Sequence, residues 1–418
     1  MSKFRRLIKL VGPGLLFASM AIGTSHLVLS TKAGAQYGWV MVIPIILANV
    51  LKYPFFEFGV RYTNVTHNSL IQGYRNLGKS YLWVYALVTV VSIFTLLAAL
   101  YVVTSGLLIN LLKISGISIS MTALGLFAFI STLLIIGRYK FLENSLKVVI
   151  SILFVALLVT TAMVLYKGQI EPVENFQRPE IFNEVGILFL ISLMGWMPTA
   201  VEASGWVSLW SIEKLKATEE KPTVKESLSE FNLGYFMTAL LAIFFLIIGW
   251  MTLYGSGTEL SGNAVVFADQ VVNLFTAHIG NWAYIFIAVA AFATMFSTCM
   301  TAHDAIARVS LDVLDKLYPN KKVFTQKSSS FALTVLLMAL INWIVITLFS
   351  ANMGQLVALA TFVSFVMAPI VGWMNLKAVL GKDMPMAYRP KKGLQGLTYV
   401  GMVFLSLFAL YYCWVLWF

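Results

Sequence analysis

The chain has 418 residues, of which 59% are hydrophobic and 11% are charged, and its mean hydropathy is +0.85. A soluble globular protein has about 45–50% apolar and about 25% charged residues, so this composition excludes that class and indicates a polytopic membrane protein. The net charge of +11 follows the loops between apolar segments rather than one soluble face, and no nucleic-acid partner is therefore expected.

Apolar segments of about 20 residues, the length that crosses a bilayer, predict about eleven transmembrane helices in a single all-α domain, residues 1–418. The first segment runs from about residue 10 to 31 behind a basic N-terminus, and it lacks the small-residue cleavage site of a signal peptide. The other ten are expected near residues 38–60, 80–112, 118–137, 146–167, 183–210, 232–254, 280–307, 328–350, 354–377 and 395–418.

The lysines and arginines fall mainly on one side of this arrangement. Of the 29, 24 lie in the segments on the same side as the N-terminus, four lie on the other side, and Lys52 lies inside helix 2. Positive residues mark the cytoplasmic side, so we expect a cytoplasmic N-terminus, an external C-terminus and a location in the plasma (inner) membrane. The segment from Lys214 to Glu230 is predicted to be a solvated cytoplasmic linker, since it mixes both signs of charge.

Two apolar segments are interrupted near their middle. Gly23 breaks the first, and Gly195, Pro198 and Gly205 break the sixth. Irregular backbone at this depth is tolerated only where it is buried in protein or lines a cavity, and paired interruptions in two halves point to the binding site of a secondary transporter. We therefore predict an inverted repeat of two five-helix units, residues 10–167 and 183–377, followed by an extra helix, residues 395–418.

Several short motifs resemble those of the Nramp (natural-resistance-associated macrophage protein) family of divalent-metal transporters. They are Gly12-Pro-Gly14, Ala33-Gly-Ala-Gln-Tyr-Gly38, Arg138-Tyr-Lys-Phe-Leu-Glu143, Met197-Pro198 and the helix-10 Gln355. Their order and spacing cover nearly the whole chain. The resemblance implies a leucine-transporter-type (LeuT-like) fold that moves a divalent metal cation by alternating access around broken helices 1 and 6.

The chain departs from the family at its metal-binding residues. Where the family has Asp-Pro-Gly-Asn in helix 1, this sequence has Gly23-Thr-Ser-His26. Thr199 and Ser204 stand where the family has two helix-6 histidines, and the helix-3 carboxylates align with the uncharged residues 98–103. A divergent member with an altered binding site is the expectation.

The candidate ligands lie at the two breaks. Met197 keeps the position of a thioether that favours softer transition metals, although it can equally fill the core. His26 can bind a metal as a neutral imidazole or bond to a freed carbonyl. Glu202 is an intramembrane carboxylate, whose burial is costly and commonly functional, or else it forms a structural ion pair. Further candidates are hydroxyls, backbone carbonyls and one amide: Thr24, Ser25 and Thr199; Met20 and Met194; and Gln355.

Other polar residues of the apolar segments have weaker assignments. The helix-8 hydroxyls that align with sodium sites of related folds, or merely pack between helices, are Ser297, Thr298 and Thr301. The i,i+4 spacing predicts two helix-surface ion pairs, Glu57–Arg61 and Asp304–Arg308. Lys52 is expected to extend its amine toward the interface or to neutralise a partner such as Glu57.

Three functions remain open from the sequence. The first is transport of a divalent metal ion, and the second is transport of a small organic solute coupled to H+ or Na+ or uncoupled, on the same fold. The third is a membrane sensor that transports nothing. No nucleotide-binding or hydrolase motif is present in the sequence, so neither an enzyme nor a bound cofactor is expected, and the partners are the bilayer and a small ion or solute.

Overall fold

A computed structural model describes residues 13–137, 139–174, 176–218, 221–281, 284–319, 328–349 and 352–417. The basic N-terminus, Gly12 and Arg138 lie outside these residues, so the predictions that rest on them stay predictions. The regular elements of the described ranges are helices.

The helices follow the predicted order, and we number them as membrane helices 1 to 11. Helix 1 comprises Pro13–Ala21, a π-helical turn Ser25–Ser30 and Thr31–Tyr37, and helix 6 comprises Glu184–Gly195 and Ala203–Ala217. The continuous helices are Val42–Thr66 (helix 2), Lys79–Leu112 (3), Ile119–Ile136 (4), Tyr139–Lys167 (5), Val224–Leu253 (7), Tyr284–Leu317 (8), Ser328–Leu348 (9), Met353–Val379 (10) and Lys392–Trp417 (11). Two short helices, Leu70–Leu77 and Ala264–Ile279, were not predicted.

Eight helical stretches of the described chain are long and apolar enough to cross a membrane by length and composition. The two halves of helix 6, with 12 and 15 residues, are each too short to span about 30 Å of hydrocarbon. The prediction of a polytopic all-α protein with broken helices 1 and 6 is confirmed. The boundaries of the two repeats stay a prediction.

The break in helix 1 (residues 22–24) forms where helix 8 comes very close. A Cβ atom added to Gly23 would lie 2.6 Å from Thr298 Cγ2, so glycine is the residue that permits this approach. Beyond the break the chain winds as a π-helix, and the Ser30 hydroxyl donates to the carbonyl of Ser25, five residues earlier, at 3.1 Å. All residues of the break are buried.

The break in helix 6 (residues 196–202) has a chemical cause in its sequence. Pro198 carries no N–H, and the segment is held only by turn-type bonds such as Met197 N–H to the Met194 carbonyl, 3.3 Å, and Ala203 N–H to the Ala200 carbonyl, 3.1 Å. Every residue from 191 to 208 is nevertheless buried. The freed carbonyl groups therefore need partners from other helices.

Helix 7 fixes the beginning of helix 1. The Glu230 carboxylate accepts hydrogen bonds from the backbone N–H of Gly14, 2.9 Å to each oxygen, and of Leu15, 3.3 Å. A carboxylate at a helix N-terminus accepts hydrogen bonds from the free amides and is attracted by the partial positive charge of that helix end. The prediction of a solvated linker from Lys214 to Glu230 is wrong at both ends, because helix 6 continues to Ala217 and helix 7 begins at Val224.

Candidate functional site

A small cavity lies between the two breaks. About 20 Å³ of it is open to the centre of a water-sized molecule, which is room for a water or a small ion. Its walls come from both broken helices and from helices 3 and 8. The lining residues are Met20, Ala21, Thr24, Ser25, Leu96, Leu100, Trp196, Thr199, Trp206, Thr298 and Ala302.

Lys52 of helix 2 reaches the break in helix 6. Its Nζ donates to the carbonyl oxygens of Met194 at 2.7 Å, Gly195 at 2.8 Å, Met197 at 3.1 Å and Thr199 at 3.3 Å. The side chain is fully buried. These carbonyls end the first half of helix 6 and continue into its unwound segment, so the lysine supplies the donors that the broken backbone lacks.

This position of Lys52 corrects the interpretation of its charge. The amine neither extends to the interface nor faces Glu57, because Glu57 is bound by Arg61, whose guanidinium donates to both carboxylate oxygens. The predicted Glu57–Arg61 pair is thus confirmed. So is the Asp304–Arg308 pair, with Nε 2.8 Å from Oδ2.

Glu202 lies at the other end of the break, immediately before the second half of helix 6. Its Oε1 accepts from the Ser92 hydroxyl of helix 3 at 2.8 Å and, at the longer distance of 3.5 Å, from Ser364 of helix 10. Its Oε2 is buried without a hydrogen-bond partner in the described part of the chain. An unpaired buried carboxylate oxygen is costly, and this atom could still accept a hydrogen bond or bind a cation.

The two charges match the two half-helix ends. The Lys52 ammonium contacts the C-terminal end of the first half-helix, which carries a partial negative charge, and Glu202 begins the second half-helix, whose first amides carry a partial positive charge. The two groups lie at opposite ends of the break and form no direct ion pair. Helix 6 is therefore broken between two buried ionisable groups of opposite sign.

His26 is placed differently from the predicted ligand role. Its Nε2 lies 2.9 Å from the Thr238 carbonyl of helix 7, and its Nδ1 lies 2.8 Å from the Ser25 hydroxyl. Because a carbonyl only accepts, Nε2 carries the proton. Both ring nitrogens are thus engaged, and the imidazole joins helix 1 to helix 7 in this conformation.

The other break residues divide between the cavity and the backbone. Met20, Thr24, Ser25 and Thr199 line the cavity. The Ser25 hydroxyl also lies 2.8 Å from the Ala21 carbonyl. The two helix-6 methionines do not line it: Met197 is fully buried within the helix-6 break, and the Met194 carbonyl is bound by Lys52.

The three helix-8 hydroxyls are directed at backbone carbonyls. Thr298 donates to the Ser19 carbonyl of helix 1 at 2.9 Å, Ser297 to the Thr294 carbonyl at 2.7 Å, and Thr301 to the Ser297 carbonyl at 2.8 Å. Thr298 is therefore the residue that joins helices 1 and 8 beside the break. A coupling-ion role for the three stays a prediction.

Gln355 lies in the first turn of helix 10, where its side chain is exposed. From there to Ser364 the helix rises about 14 Å at 1.5 Å per residue. Ser364 is the helix-10 residue that reaches the break, since it accepts from the Trp196 indole N–H at 3.0 Å and approaches Glu202. No periodic signal in the sequence singles out Ser364, Ser92 or the contacts of Lys52 with helix 6.

In the described residues, no three His, Cys, Asp or Glu side chains converge as metal ligands. The helix-6 break holds one carboxylate, several backbone carbonyls and an ammonium group, and the neighbouring cavity is lined by several hydroxyls. Such a set can bind a small cation only beside a resident positive charge, and it can also bind a polar organic group by hydrogen bonds.

Comparisons with known proteins agree with this architecture. A manganese transporter of Eremococcus coleocola, solved as a mutant, superimposes with a TM-score of 0.71 at 14% identity over 98% of this chain and 87% of that chain. Mhp1, a nucleobase-cation-symport-1 family transporter solved with bromovinylhydantoin bound, superimposes with a TM-score of 0.61 at 14% identity over 96% and 91%. These likenesses show the LeuT-like transporter fold.

Sequence comparison identifies the family. An uncharacterized protein of Pasteurella multocida is 31% identical over 411 residues, which is 98% of this chain and 92% of that protein. The model of the family described as "Natural resistance-associated macrophage protein-like" matches residues 14–415. The motifs, the two broken helices and this match together place the chain in the Nramp-like family.

Proposed function

We propose that this protein is a secondary transporter that moves a divalent metal cation by alternating access, with Glu202 as the principal charged ligand. The observation that carries the proposal is the buried, unpaired Oε2 of Glu202 at a helix break whose neighbouring residues line a cavity, in a member of the Nramp-like family. The manganese transporter with the same fold supports this choice of cargo. The bias of basic residues supports a cytoplasmic N-terminus in the plasma membrane.

The binding site of this proposal differs from a preformed cage of carboxylates. The cavity contributes the hydroxyls of Thr24, Ser25 and Thr199. The thioether of Met197 lies in the helix-6 break, as Thr199 does. The Lys52 ammonium occupies the neighbouring carbonyls. Binding of a divalent ion therefore requires a rearrangement of the break in which Glu202 becomes the counter-charge of the ion instead of that of Lys52.

Manganese uptake into proteoliposomes tests the proposal. We expect saturable uptake by the wild-type protein and a loss of about tenfold or more for Glu202→Gln, a change of about 1.4 kcal/mol or more in binding. Glu180→Gln is the matched control, because Glu180 is an exposed carboxylate. Folded wild-type protein that neither binds nor transports manganese, magnesium or calcium contradicts a metal cargo.

A second candidate, transport of a small organic solute coupled to H+ or Na+, is favoured by the Lys52 ammonium. This group already neutralises the helix-6 carbonyls and repels a second cation. The hydantoin bound in Mhp1 is an organic ligand held by the same fold. This alternative is supported if hydantoin or a nucleobase raises the stability of the wild-type protein, if Glu202→Gln abolishes that effect, and if no metal ion has an effect. If neither metal nor solute is transported, the sensor role is the remaining function.

A further inference from the structure

The contacts of Lys52 describe a cation site rather than a simple hydrogen bond. Three carbonyl oxygens lie within 3.1 Å of Nζ, and a fourth lies at 3.3 Å. A neutral amine has two N–H donors, whereas an ammonium group has three. The three shorter contacts match the three donors of the charged form.

We propose that the carbonyl oxygens of Met194, Gly195, Met197 and Thr199 form a binding site for a monovalent cation, and that Lys52 carries the ion of this site on its own side chain. Rings of backbone carbonyls are the ligands that replace the water around monovalent cations in ion channels. The site is independent of the cargo, because its oxygens are already bound in the closed, buried break.

The charge of the surroundings favours one positive charge. Glu202 is the carboxylate of the same break, and the four carbonyl oxygens that form the cage around Nζ are neutral. One ammonium and one carboxylate balance, whereas a divalent ion in the same cage would leave an excess positive charge in hydrocarbon. The covalent attachment of the ammonium group also has a physical advantage, since every protein molecule carries one such cation and no ion has to be captured from water.

The site is tested by truncating the Lys52 side chain and adding the removed fragment back as a free ion. Lys52→Ala removes three carbons and the nitrogen, which together correspond to propylammonium. The full-length variant is purified in nanodiscs, and its melting temperature is measured against propylammonium, sodium and potassium. Tetramethylammonium is the control ligand, because it has the same charge but no N–H donor.

We expect Lys52→Ala to unfold about 5 °C or more below the wild-type protein and to recover saturably with propylammonium, but not with tetramethylammonium. The wild-type protein should not respond. Neither should Lys32→Ala, which removes a half-buried lysine that faces the Phe267 ring, or Lys52→Met, whose side chain fills the space without donors. An equal effect of the two ammonium ions on Lys52→Ala, whether on the melting temperature or on the yield of folded protein, overturns the proposal.

Discussion

The free backbone groups of the two helix breaks are hydrogen-bonded in different ways. In helix 1 the freed backbone is satisfied by neutral groups, among them the Ser30 and Thr298 hydroxyls, and is closed by direct packing against helix 8. In helix 6 it is satisfied by a buried ammonium from helix 2, balanced by a carboxylate at the far end. The buried ionisable groups of opposite sign are thus concentrated at the second break.

This difference has consequences for what each break can do. A neutral, tightly packed break resists change through its shape, since a closely packed interior tolerates little extra volume. A break held by buried charges resists change through electrostatics, which responds to ions, protons and polar ligands. We therefore expect substitutions at helix 1 to alter stability and substitutions at helix 6 to alter stability and binding together.

The largest expected effect is at Lys52. Lys52→Met keeps most of the volume but removes the ammonium, which leaves several carbonyls without donors and Glu202 without its counter-charge. Loss of one partner from a buried ionic arrangement costs about 3–5 kcal/mol. Thermal or denaturant unfolding in nanodiscs measures this, with Lys32→Met as the control, and an unchanged melting temperature would mean that the helix-6 break does not depend on the charge.

Gly23→Ala tests the packing of the helix-1 break. The new Cβ would lie 2.6 Å from Thr298 Cγ2, and overpacking of this kind costs about 1–3 kcal/mol. The second substitution Thr298→Ser removes that methyl group and should restore part of the lost stability. If the double variant is no more stable than Gly23→Ala alone, the close approach of helices 1 and 8 is not the reason for the glycine.

A smaller effect is expected for His26→Gln. Glutamine can keep one of the two hydrogen bonds of the imidazole, so the free energy of unfolding should fall by about 1 kcal/mol. The KM for the cargo should stay close to the wild-type value, because both ring nitrogens are bonded to the protein. A raised KM with unchanged stability would restore His26 as a ligand.

The smallest effect is expected for Gln355→Ala. The side chain is exposed in the first turn of helix 10 and lies far along the helix from Ser364. Stability and transport should both stay near the wild-type values, since exposed substitutions usually change the free energy of unfolding by less than about 0.5 kcal/mol. Ser364→Ala, measured in parallel, should reduce cargo affinity because it removes a contact to Glu202.

The sequence predicted the fold well because its strongest signals are the ones a membrane imposes. Apolar length gave the helices in order, and Gly23, Gly195 and Pro198 marked the two breaks. The i,i+4 ion pairs were also predictable, since both partners lie on one helix. These features depend on neighbours along the chain and on composition alone.

The site was less predictable because its contacts join distant segments. Lys52 lies more than 140 residues from the carbonyls it binds, and nothing in the local pattern of helix 2 indicates that direction. Ser92 and Ser364 look like ordinary packing hydroxyls in their own helices. His26 and Gln355 were selected by alignment to motifs, and such an alignment fixes a position along the chain but not the partners of a side chain.

The most direct test of the account is a double-mutant cycle between Lys52 and Glu202. The free energy of unfolding is measured for the wild-type protein, Lys52→Met, Glu202→Gln and the double variant under the same conditions. If the two charges balance each other across the break, the double variant should be more stable than additivity predicts, with a coupling of about 1 kcal/mol or more. Additivity within about 0.5 kcal/mol would contradict the view that helix 6 is held by a balanced pair of buried charges.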